Sequence, residues 1–212
     1  LYGSELGIGN FSAPTDIHAD EEGTIYLLDA GNSRIVVIHP DFTLKQEIRG
    51  FQNQGQTDDF TNARGLYVDD AYIYIADTDK SRIVILDKSG SLVKVVNAPQ
   101  STMLGDTFTF KPIRVVTDPD RLLYVVGEGT YEGIITMDWD GEFAGFVGSN
   151  NVQPSAWDIF WMQFSTREQR EKMVQFVPQD FSSIDVDDEG FFFCTTRTSI
   201  EQENQMVKRL NP

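Results

Sequence analysis

The residues best suited to binding chemistry are two arginines, Arg64 and Arg114, which we group with Asp16 and Ser183. An arginine presents a planar fork of donors that holds a carboxylate through two parallel hydrogen bonds. The chain is strongly acidic, with 17 Lys plus Arg residues against 33 Asp plus Glu residues and a formal net charge of -16. Two cations at one place on such a chain predict a site for a carboxylate or an acidic sugar. The alternative is that each arginine pairs with a neighbouring acid such as Asp16.

Three carboxylates, Asp16, Asp180 and Asp185, could support a second kind of chemistry. Carboxylate oxygens are ligands that calcium prefers, so these residues are candidate ligands of a divalent ion. The alternative is that they are ordinary turn and surface acids. A zinc site with several histidines is excluded, because the chain has only His18 and His39. The sequence contains no nucleophile elbow, phosphate-binding glycine loop or paired-cysteine motif, and it predicts no catalytic residue.

Four aromatic residues, Trp157, Phe160, Trp161 and Phe164, lie at positions i, i+3, i+4 and i+7. This spacing places them on one face of a helix, and we predict a small helical insertion over residues 154–177. The aromatic face either packs onto the rest of the protein or binds a partner through its two tryptophans and Phe160. An uncovered apolar stripe usually marks an interaction site.

The elements that must position these residues belong to a repeat. Residues 23–38 have the pattern of a strand, a turn and a strand, and the pattern returns over residues 71–86, where Asp29 recurs as Asp77. A self-similar unit of this length is typical of a propeller or a solenoid. Each unit has room for four short strands joined by tight turns. We therefore predict an all-β fold, a β-propeller of four-stranded antiparallel blades.

We expect about four blades, near residues 11–51, 60–98, 110–148 and 179–212, with the helical insertion before the last. The last repeat stops where a turn and another strand should follow. We therefore expect these blades to be part of a six-bladed propeller, since closed propellers have four to eight blades. The polar segment 52–59 between the first two repeats is predicted to be an exposed loop.

An acidic residue ends the first strand of each repeat and sets the register between repeats. The four acids are Asp20, Asp69, Asp118 and Asp187. The residues four positions before these acids are equivalent to one another, and they are Asp16, Gly65, Arg114 and Ser183. Arg64 lies one position before Gly65. The starts of the innermost strands line the channel mouth, where propellers usually bind ligands. Asp16, Arg64, Arg114 and Ser183 are therefore the predicted ligand residues at the mouth.

Two acid–arginine pairs, Asp29 with Arg34 and Asp77 with Arg82, recur at the same place in successive repeats. A ligand site has no need to recur in each blade, whereas a hairpin staple does. We therefore predict that these pairs are structural, with the aspartate accepting hydrogen bonds at the end of a strand. The third repeat has Gly127 and the residues after it at this turn, and lacks the pair.

Composition excludes several classes of partner. A net charge of -16 repels phosphate backbones, and no basic stripe offsets it, so nucleic acid is not an expected partner. An anionic membrane surface is disfavoured for the same reason. No apolar run approaches the roughly 20 residues of a membrane span. The one cysteine, Cys194, lies in an apolar run and is predicted to be a buried structural thiol.

The pattern Pro-x-Asp-Ile, followed by acidic-Gly-x-Ile-Tyr-x-x-Asp-x-Gly-Asn-x-Arg-Ile-x-Val, resembles the NHL-repeat propellers. Residues 14–38 match it closely, and residues 64–86 match it with Asp79 and Lys80 in place of Gly-Asn. The aromatic insertion is similar to one in exported NHL-repeat proteins of gut Firmicutes. The resemblance implies a bacterial, extracellular or cell-surface propeller. It also implies that this chain is a truncated part, preceded by a signal peptide and followed by further repeats.

The resemblance implies no single activity, because NHL folds serve enzymes and binding modules alike. We expect a non-enzymatic binding scaffold that contacts a protein or carbohydrate partner through the channel face. The alternative is a metal-dependent, lactonase-like hydrolase. Propeller lactonases that resemble this fold hold a divalent ion with Glu, Asn and Asp at the channel. Asp16, Asp180 and Asp185 would be the candidate ligands, and calcium the candidate ion.

Overall fold

A computed structural model describes residues 2–105, 108–148, 180–187, 190–197 and 207–210. In this part of the chain the polypeptide forms four antiparallel sheets arranged as blades of a β-propeller, with one separate hairpin. The predicted all-β propeller fold is confirmed. Within each blade the strands follow one another in chain order, from the channel outward. This order is the simplest one that tight hairpin turns allow.

The first half of the chain forms two complete blades and the hairpin between them. Blade 1 contains β1 (Asp16–Ala19), β2 (Ile25–Asp29), β3 (Arg34–Ile38) and β4 (Leu44–Ile48). The hairpin contains β5 (Phe51–Asn53) and β6 (Gln56–Asp58). Blade 2 contains β7 (Gly65–Val68), β8 (Tyr72–Asp77), β9 (Arg82–Asp87) and β10 (Leu92–Asn97). Short 3-10 turns cover Ala30–Asn32 and Thr102–Leu104.

The second half of the chain forms blade 3 and the described part of blade 4. Blade 3 contains β11 (Pro112–Thr117), β12 (Leu123–Gly127), β13 (Ile134–Met137) and β14 (Phe143–Val147). Blade 4 contains β15 (Asp180–Val186), β16 (Phe192–Arg197) and β17 (Val207–Leu210). The predicted helical insertion over residues 154–177, with Trp157, Phe160 and Trp161, lies outside the described residues.

Each hairpin between a first and a second strand closes on its aspartate. In blade 1 the Asp20 carboxylate accepts the N–H of Thr24 at 2.8 Å and the hydroxyl of Tyr26 at 3.3 Å. The same bonds join Asp69 to Tyr72 and Tyr74, and Asp118 to Leu122 and Tyr124. An aspartate that binds the backbone across a tight turn fixes that turn. We call the end of the propeller with these turns the turn end, and the opposite end the mouth.

The recurring acid–arginine pair holds the turn between the second and third strands. Asp29 and Arg34 lie directly opposite each other. Arg34 Nε donates to Asp29 Oδ2 at 2.7 Å, and the two side chains are 1% and 0% exposed. Asp77 and Arg82 repeat the arrangement in blade 2 at 2.8 Å. The structural interpretation of these pairs is confirmed, because a buried charge needs such a partner to remain ionised in the core.

The apolar core lies between successive blades. Tyr26 on β2 packs in one cluster with Leu66 on β7, and the next two junctions repeat this contact. The side chains equivalent to Leu66 are Val115 and Ile184, and all three are buried. Successive side chains of a strand point to opposite faces of the sheet. A strand of a blade between two others therefore serves two cores. In β9 of blade 2, Val84 and Leu86 pack toward blade 1, while Ile83 and Ile85 pack toward blade 3.

Residues 52–59 are largely exposed, as predicted, but they are not a loop, since the chain forms the β5–β6 hairpin there. Phe51 at its base is 4% exposed and packs with the core between blades 1 and 2. Asp58 at its end accepts Arg82 Nη1 at 2.7 Å and Lys80 Nζ at 2.8 Å. The polar composition of the segment suggested a loop, but Asp58 instead adds a second carboxylate to the Asp77–Arg82 pair of blade 2.

Two further predictions concern membranes and the lone thiol. Among the described residues, no helix has the length and apolar character needed to cross a membrane. Cys194 on β16 is 0% exposed, and burial raises its pKa to about 11. A thiol with this pKa stays protonated at neutral pH and is a poor nucleophile. The predicted buried structural thiol is confirmed.

Candidate functional site

The innermost strands of the four blades bring the predicted mouth residues to one level. Strand pairing matches Asp16 with Leu28, Gly65 with Ala76, Arg114 with Val126, and Ser183 with Thr195. These partners occupy the same place in each second strand, so the four first-strand residues are structurally equivalent. The register deduced from the repeating aspartates therefore holds, and it places these residues around the mouth.

Asp16 joins blade 1 to blade 2 through its carboxylate. Its Oδ1 accepts the N–H of Ile17 at 3.0 Å, and its Oδ2 accepts the N–H of Leu66 at 2.8 Å. Burial raises the pKa of Asp16, while the charge of Arg114 and the two N–H groups oppose the rise. Both oxygens therefore already have partners in the protein.

Arg114 links three blades at the mouth. One terminal nitrogen donates to the carbonyl oxygen of Ile113 at 2.7 Å and to that of Arg64 on blade 2. Its Nε lies 3.7 Å from Asp16 Oδ2, with the arginine side chain 25% exposed and the aspartate 19% exposed. The other terminal nitrogen donates to no partner within the described ranges. The guanidinium is thus fixed in place and retains free donors.

Arg64 stands beside Arg114 with looser attachment. Its Nη1 lies 3.0 Å from Glu128 Oε2, with side chains 29% and 53% exposed. An exposed ion pair of this kind contributes only about 0–1 kcal/mol. Both arginines therefore have local acidic or carbonyl partners, as the alternative interpretation expected. Arg64 can exchange its partner for a ligand with little loss.

Gly65 allows blades 2 and 3 to approach closely between the two arginines. A Cβ atom at this position would lie 2.6 Å from the carbonyl oxygen of Ile113 and 2.8 Å from Arg114 Cα. Both neighbours are backbone atoms and cannot rotate away. The absence of a side chain here is thus what brings the Arg114 guanidinium onto the Arg64 carbonyl.

A second layer of side chains lies two residues further along the innermost strands. His18 contacts Tyr67 edge-on, with ring centroids 5.2 Å apart. Burial lowers the pKa of His18, and the negative charges of Asp185 and Asp16 oppose this. Burial also raises the pKa of Tyr67 to about 12, with Asp69 and Asp185 adding to the rise. The charge of Asp185 on blade 4 thus acts on both His18 of blade 1 and Tyr67 of blade 2.

The structure brings together three of the four predicted mouth residues. Asp16, Arg64 and Arg114 form one connected group, while no hydrogen bond joins Ser183 to them in the described part of the chain. Sequence reasoning missed Glu128, His18 and Tyr67. The register would have indicated His18 and Tyr67, since they follow the mouth positions by two, but Glu128 lies in a loop that the repeat does not align.

The predicted divalent-ion site stays a prediction. Asp185 is exposed, and its Oδ1 accepts the N–H of Val186 at 2.9 Å. The side chain of Asp180 lies outside what the structure describes. Within the described ranges, no group of three or more His, Cys, Asp or Glu side chains is placed to hold a metal ion. Asp16 and Asp185 alone supply too few oxygens for calcium, which takes six to eight.

Comparison with known proteins supports the fold alone. No protein-family model matches the chain, and no curated protein matches it. Among solved structures it is similar to hydrazine synthase from Kuenenia stuttgartiensis, at 11% identity and a TM-score of 0.56, over 94% of this chain and 46% of that one. A gluconolactonase from Xanthomonas campestris is similar at 15% identity and a TM-score of 0.54, over 88% of this chain and 55% of that one.

A third similar structure is an extracellular domain of a putative two-component system, BT4673, from Bacteroides thetaiotaomicron. It matches at 13% identity and a TM-score of 0.53, over 94% of this chain and 23% of that one. The chain thus spans about half or less of each of these proteins. At such identities the likeness shows a β-propeller and nothing about activity, because one fold serves many functions.

Proposed function

We propose that the protein is a non-enzymatic binding module of the NHL-repeat type, whose mouth engages a carboxylate on a protein or carbohydrate partner. The observation that carries this proposal is the pair of part-exposed guanidiniums, Arg64 and Arg114, on adjacent blades of a chain with net charge -16. Arginine binds carboxylates through paired, charge-assisted hydrogen bonds. Such bonds are stronger at a mouth that is partly shielded from water.

The two arginines suit different parts of this task. Arg114 is fixed by two carbonyl oxygens and lies near Asp16, so it can act as a preorganised donor. Arg64 has an exposed acid, Glu128, as its ion-pair partner, and a ligand carboxylate can replace that acid. Preorganisation reduces the entropy lost on binding. The ligand therefore gains two cationic contacts with little rearrangement of the blades.

We also propose that the protein acts outside the bacterial cell. The aromatic sequence from Trp157 to Phe164 supports this proposal, since it is similar to an insertion in exported NHL-repeat proteins. The similarity to a propeller described as an extracellular domain is consistent with it. Carboxylate-bearing glycans and peptides are both available at such a location.

The experiment is a binding assay with polygalacturonate, a polymer of acidic sugars, and with dextran as the uncharged polymer. We expect saturable binding of polygalacturonate only. Arg64→Gln should weaken it about tenfold or more, because a hydrogen bond to a charged group contributes about 1.5–3 kcal/mol. Arg114→Gln should do the same. Arg49→Gln is the matched control, since Arg49 is 59% exposed, pairs with Glu47 and follows the outermost strand of blade 1, away from the channel.

Three results would overturn the proposal. The first is equal binding of dextran, and the second is binding that Arg64→Gln leaves unchanged. The third is turnover of a sugar lactone, which would favour the alternative of a metal-dependent, lactonase-like hydrolase. That alternative requires a divalent ion, so the melting temperature should rise with calcium and fall with EDTA. A ligand at 100 times its dissociation constant stabilises the native state by about 2.7 kcal/mol.

A further inference from the structure

Arg121 occupies a place where two other blades have glycine. In the turn that closes on the repeating aspartate, the third residue after that acid is Gly23 in blade 1, Arg121 in blade 3 and Gly190 in blade 4. Each donates its N–H to the carbonyl oxygen of the aspartate, at 2.9, 3.0 and 3.0 Å respectively. The φ angles are +77° for Gly23, +63° for Arg121 and +83° for Gly190. Glycine adopts this conformation freely, whereas a long side chain is uncommon in it.

The guanidinium of Arg121 is held between two aromatic rings. Its central carbon lies 5.1 Å from the ring centroid of Tyr72 and 5.1 Å from that of Trp139. The two rings are 5.6 Å apart. Tyr72 begins β8 of blade 2, and Trp139 follows β13 of blade 3. Cation–π attraction at these distances fixes the guanidinium at the turn end before any ligand binds.

Arg121 differs from three other cations that stack on rings, because no acid of the described residues pairs with it. Arg82, Lys88 and Lys94 each lie over a ring and also have a carboxylate oxygen within 4.0 Å. No hydrogen bond or ion pair involves the Arg121 guanidinium among the residues that the structure describes. A guanidinium has five N–H donors. The chain has 33 Asp plus Glu residues, yet none of those that the structure describes accepts a bond from this guanidinium.

We propose that Arg121, Tyr72 and Trp139 form a second binding site, at the turn end, for an acidic peptide segment. A peptide carboxylate would accept two parallel N–H bonds from the guanidinium, and an apolar neighbour in the peptide would lie against the rings. The net charge of -16 opposes the approach of a small free anion, so the ligand must add apolar contact. Arginine, tryptophan and tyrosine are also the residues that dominate binding at protein interfaces.

Nuclear magnetic resonance tests this proposal on the whole chain. The probes are two blocked peptides, Ala-Leu-Glu-Leu-Ala and the same peptide with Gln in place of Glu. We expect the Glu peptide to shift the Nε–H resonance of Arg121 in a saturable manner. The Gln peptide should bind at least about tenfold more weakly, which corresponds to the loss of one hydrogen bond to a charged group. Equal binding of the two peptides would overturn the proposal that Arg121 recognises a carboxylate.

The decisive variant is Arg121→Gly, which restores the residue that blades 1 and 4 use. We expect it to abolish binding of the Glu peptide while its melting temperature stays within about 3 °C of the wild type, because glycine relaxes the backbone at this φ. Arg49→Gly is the control for removal of an exposed arginine, and should bind normally. A wild-type protein that ignores the peptide, with a clear fall in melting temperature for Arg121→Gly, would instead show that Arg121 only joins blades 2 and 3.

Discussion

Blades 1 and 3 close the same hairpin, between the second and third strands, with opposite chemistry. Blade 1 uses the buried pair of Asp29 and Arg34. The register of β12 and β13 brings Gly127 and Gly133 to the corresponding places in blade 3. There the space is filled by Thr130, which is 5% exposed, and a Cβ atom at Gly127 would lie 2.4 Å from its Oγ1. The same pair of strands is thus joined by a four-residue turn with a charge pair in blade 1 and by a closely packed five-residue turn in blade 3.

The comparison teaches that the pair is a local solution and not a requirement of the fold. A buried ion pair adds little net stability over an apolar replacement of similar volume, but removal of one partner leaves an unpaired buried charge. Blade 3 closes the corresponding hairpin without a charge pair in the same molecule. Loss of one partner in blade 1 should therefore be far more harmful than any change to the acids near the blade 3 turn.

The largest effect is expected for Asp29→Ala. Asp29 accepts the N–H of Ser12 at 2.6 Å, Asn32 Nδ2 at 2.7 Å and Arg34 Nε at 2.7 Å, and all three bonds would be lost. Arg34 would keep Glu47 as its acidic partner, at 2.5 Å from Nη1. We expect a loss of about 3–5 kcal/mol in the free energy of unfolding, measured by urea denaturation, because a buried donor left without its acceptor costs about 1–3 kcal/mol. Glu128→Ala in the blade 3 turn should cost under about 1 kcal/mol. Equal losses for the two variants would break the comparison.

A medium effect is expected when blade 3 is given a side chain at the aspartate position. Gly127→Ala should destabilise the protein by about 1–3 kcal/mol, since its Cβ would overlap the Thr130 hydroxyl. Adding Thr130→Ala should recover part of that loss. A double-mutant cycle from thermal unfolding measures the coupling. Additive effects would show that Thr130 does not fill the place of the pair.

Low pH should destabilise blade 2 through Asp58, a residue of the β5–β6 hairpin that pairs with Arg82 alongside Asp77. The Arg82 guanidinium holds the pKa of Asp58 well below its usual range, with Lys80 assisting against burial. A carboxyl whose folded pKa is depressed stabilises the folded state above the unfolded value of about 3.9. That contribution is lost as the pH falls through this value toward the folded pKa.

The check is the free energy of unfolding at pH 7 and at pH 3. Between pH 7 and pH 3, the free energy of unfolding of Asp58→Asn should fall by roughly 1.5 kcal/mol less than that of the wild type. This difference is the contribution of one hydrogen bond to a charged group. Asp70→Asn, in the turn between β7 and β8, should lose as much as the wild type. The idea fails if Asp58→Asn shows the full pH dependence.

The smallest effect concerns the tyrosine that binds the turn aspartate in blades 1 to 3. Blade 4 has Phe193 at this place and manages without the hydroxyl. Tyr74 donates to Asp69 at 2.6 Å, so Tyr74→Phe should cost about 1 kcal/mol. Tyr131→Phe, at a site 56% exposed, is the control and should have no effect. A loss of stability well above about 1 kcal/mol for Tyr74→Phe would mean that the turn depends on the hydroxyl.

Much of the fold was predictable because it repeats. The aspartate that ends each first strand makes the same turn bonds in successive blades, so its spacing set both the strands and their register. The hairpin at residues 51–58 was missed because its stability comes from Phe51 in the inter-blade core and Asp58 on Arg82. Neither contact is visible in a local pattern of polar residues.

By itself, the sequence determined the repeat, the strand register and the equivalence of Asp16, Gly65, Arg114 and Ser183, because hydrophobic alternation and turn chemistry act over a few residues. Only the tertiary structure decided which charges meet. The Asp16 carboxylate accepts the N–H of Leu66 on the next blade, and Arg64 pairs with Glu128. Arg121 lies between two rings, and no acid of the described residues pairs with it. These outcomes depend on how blades stack, and stacking joins residues that lie some 50 or more positions apart.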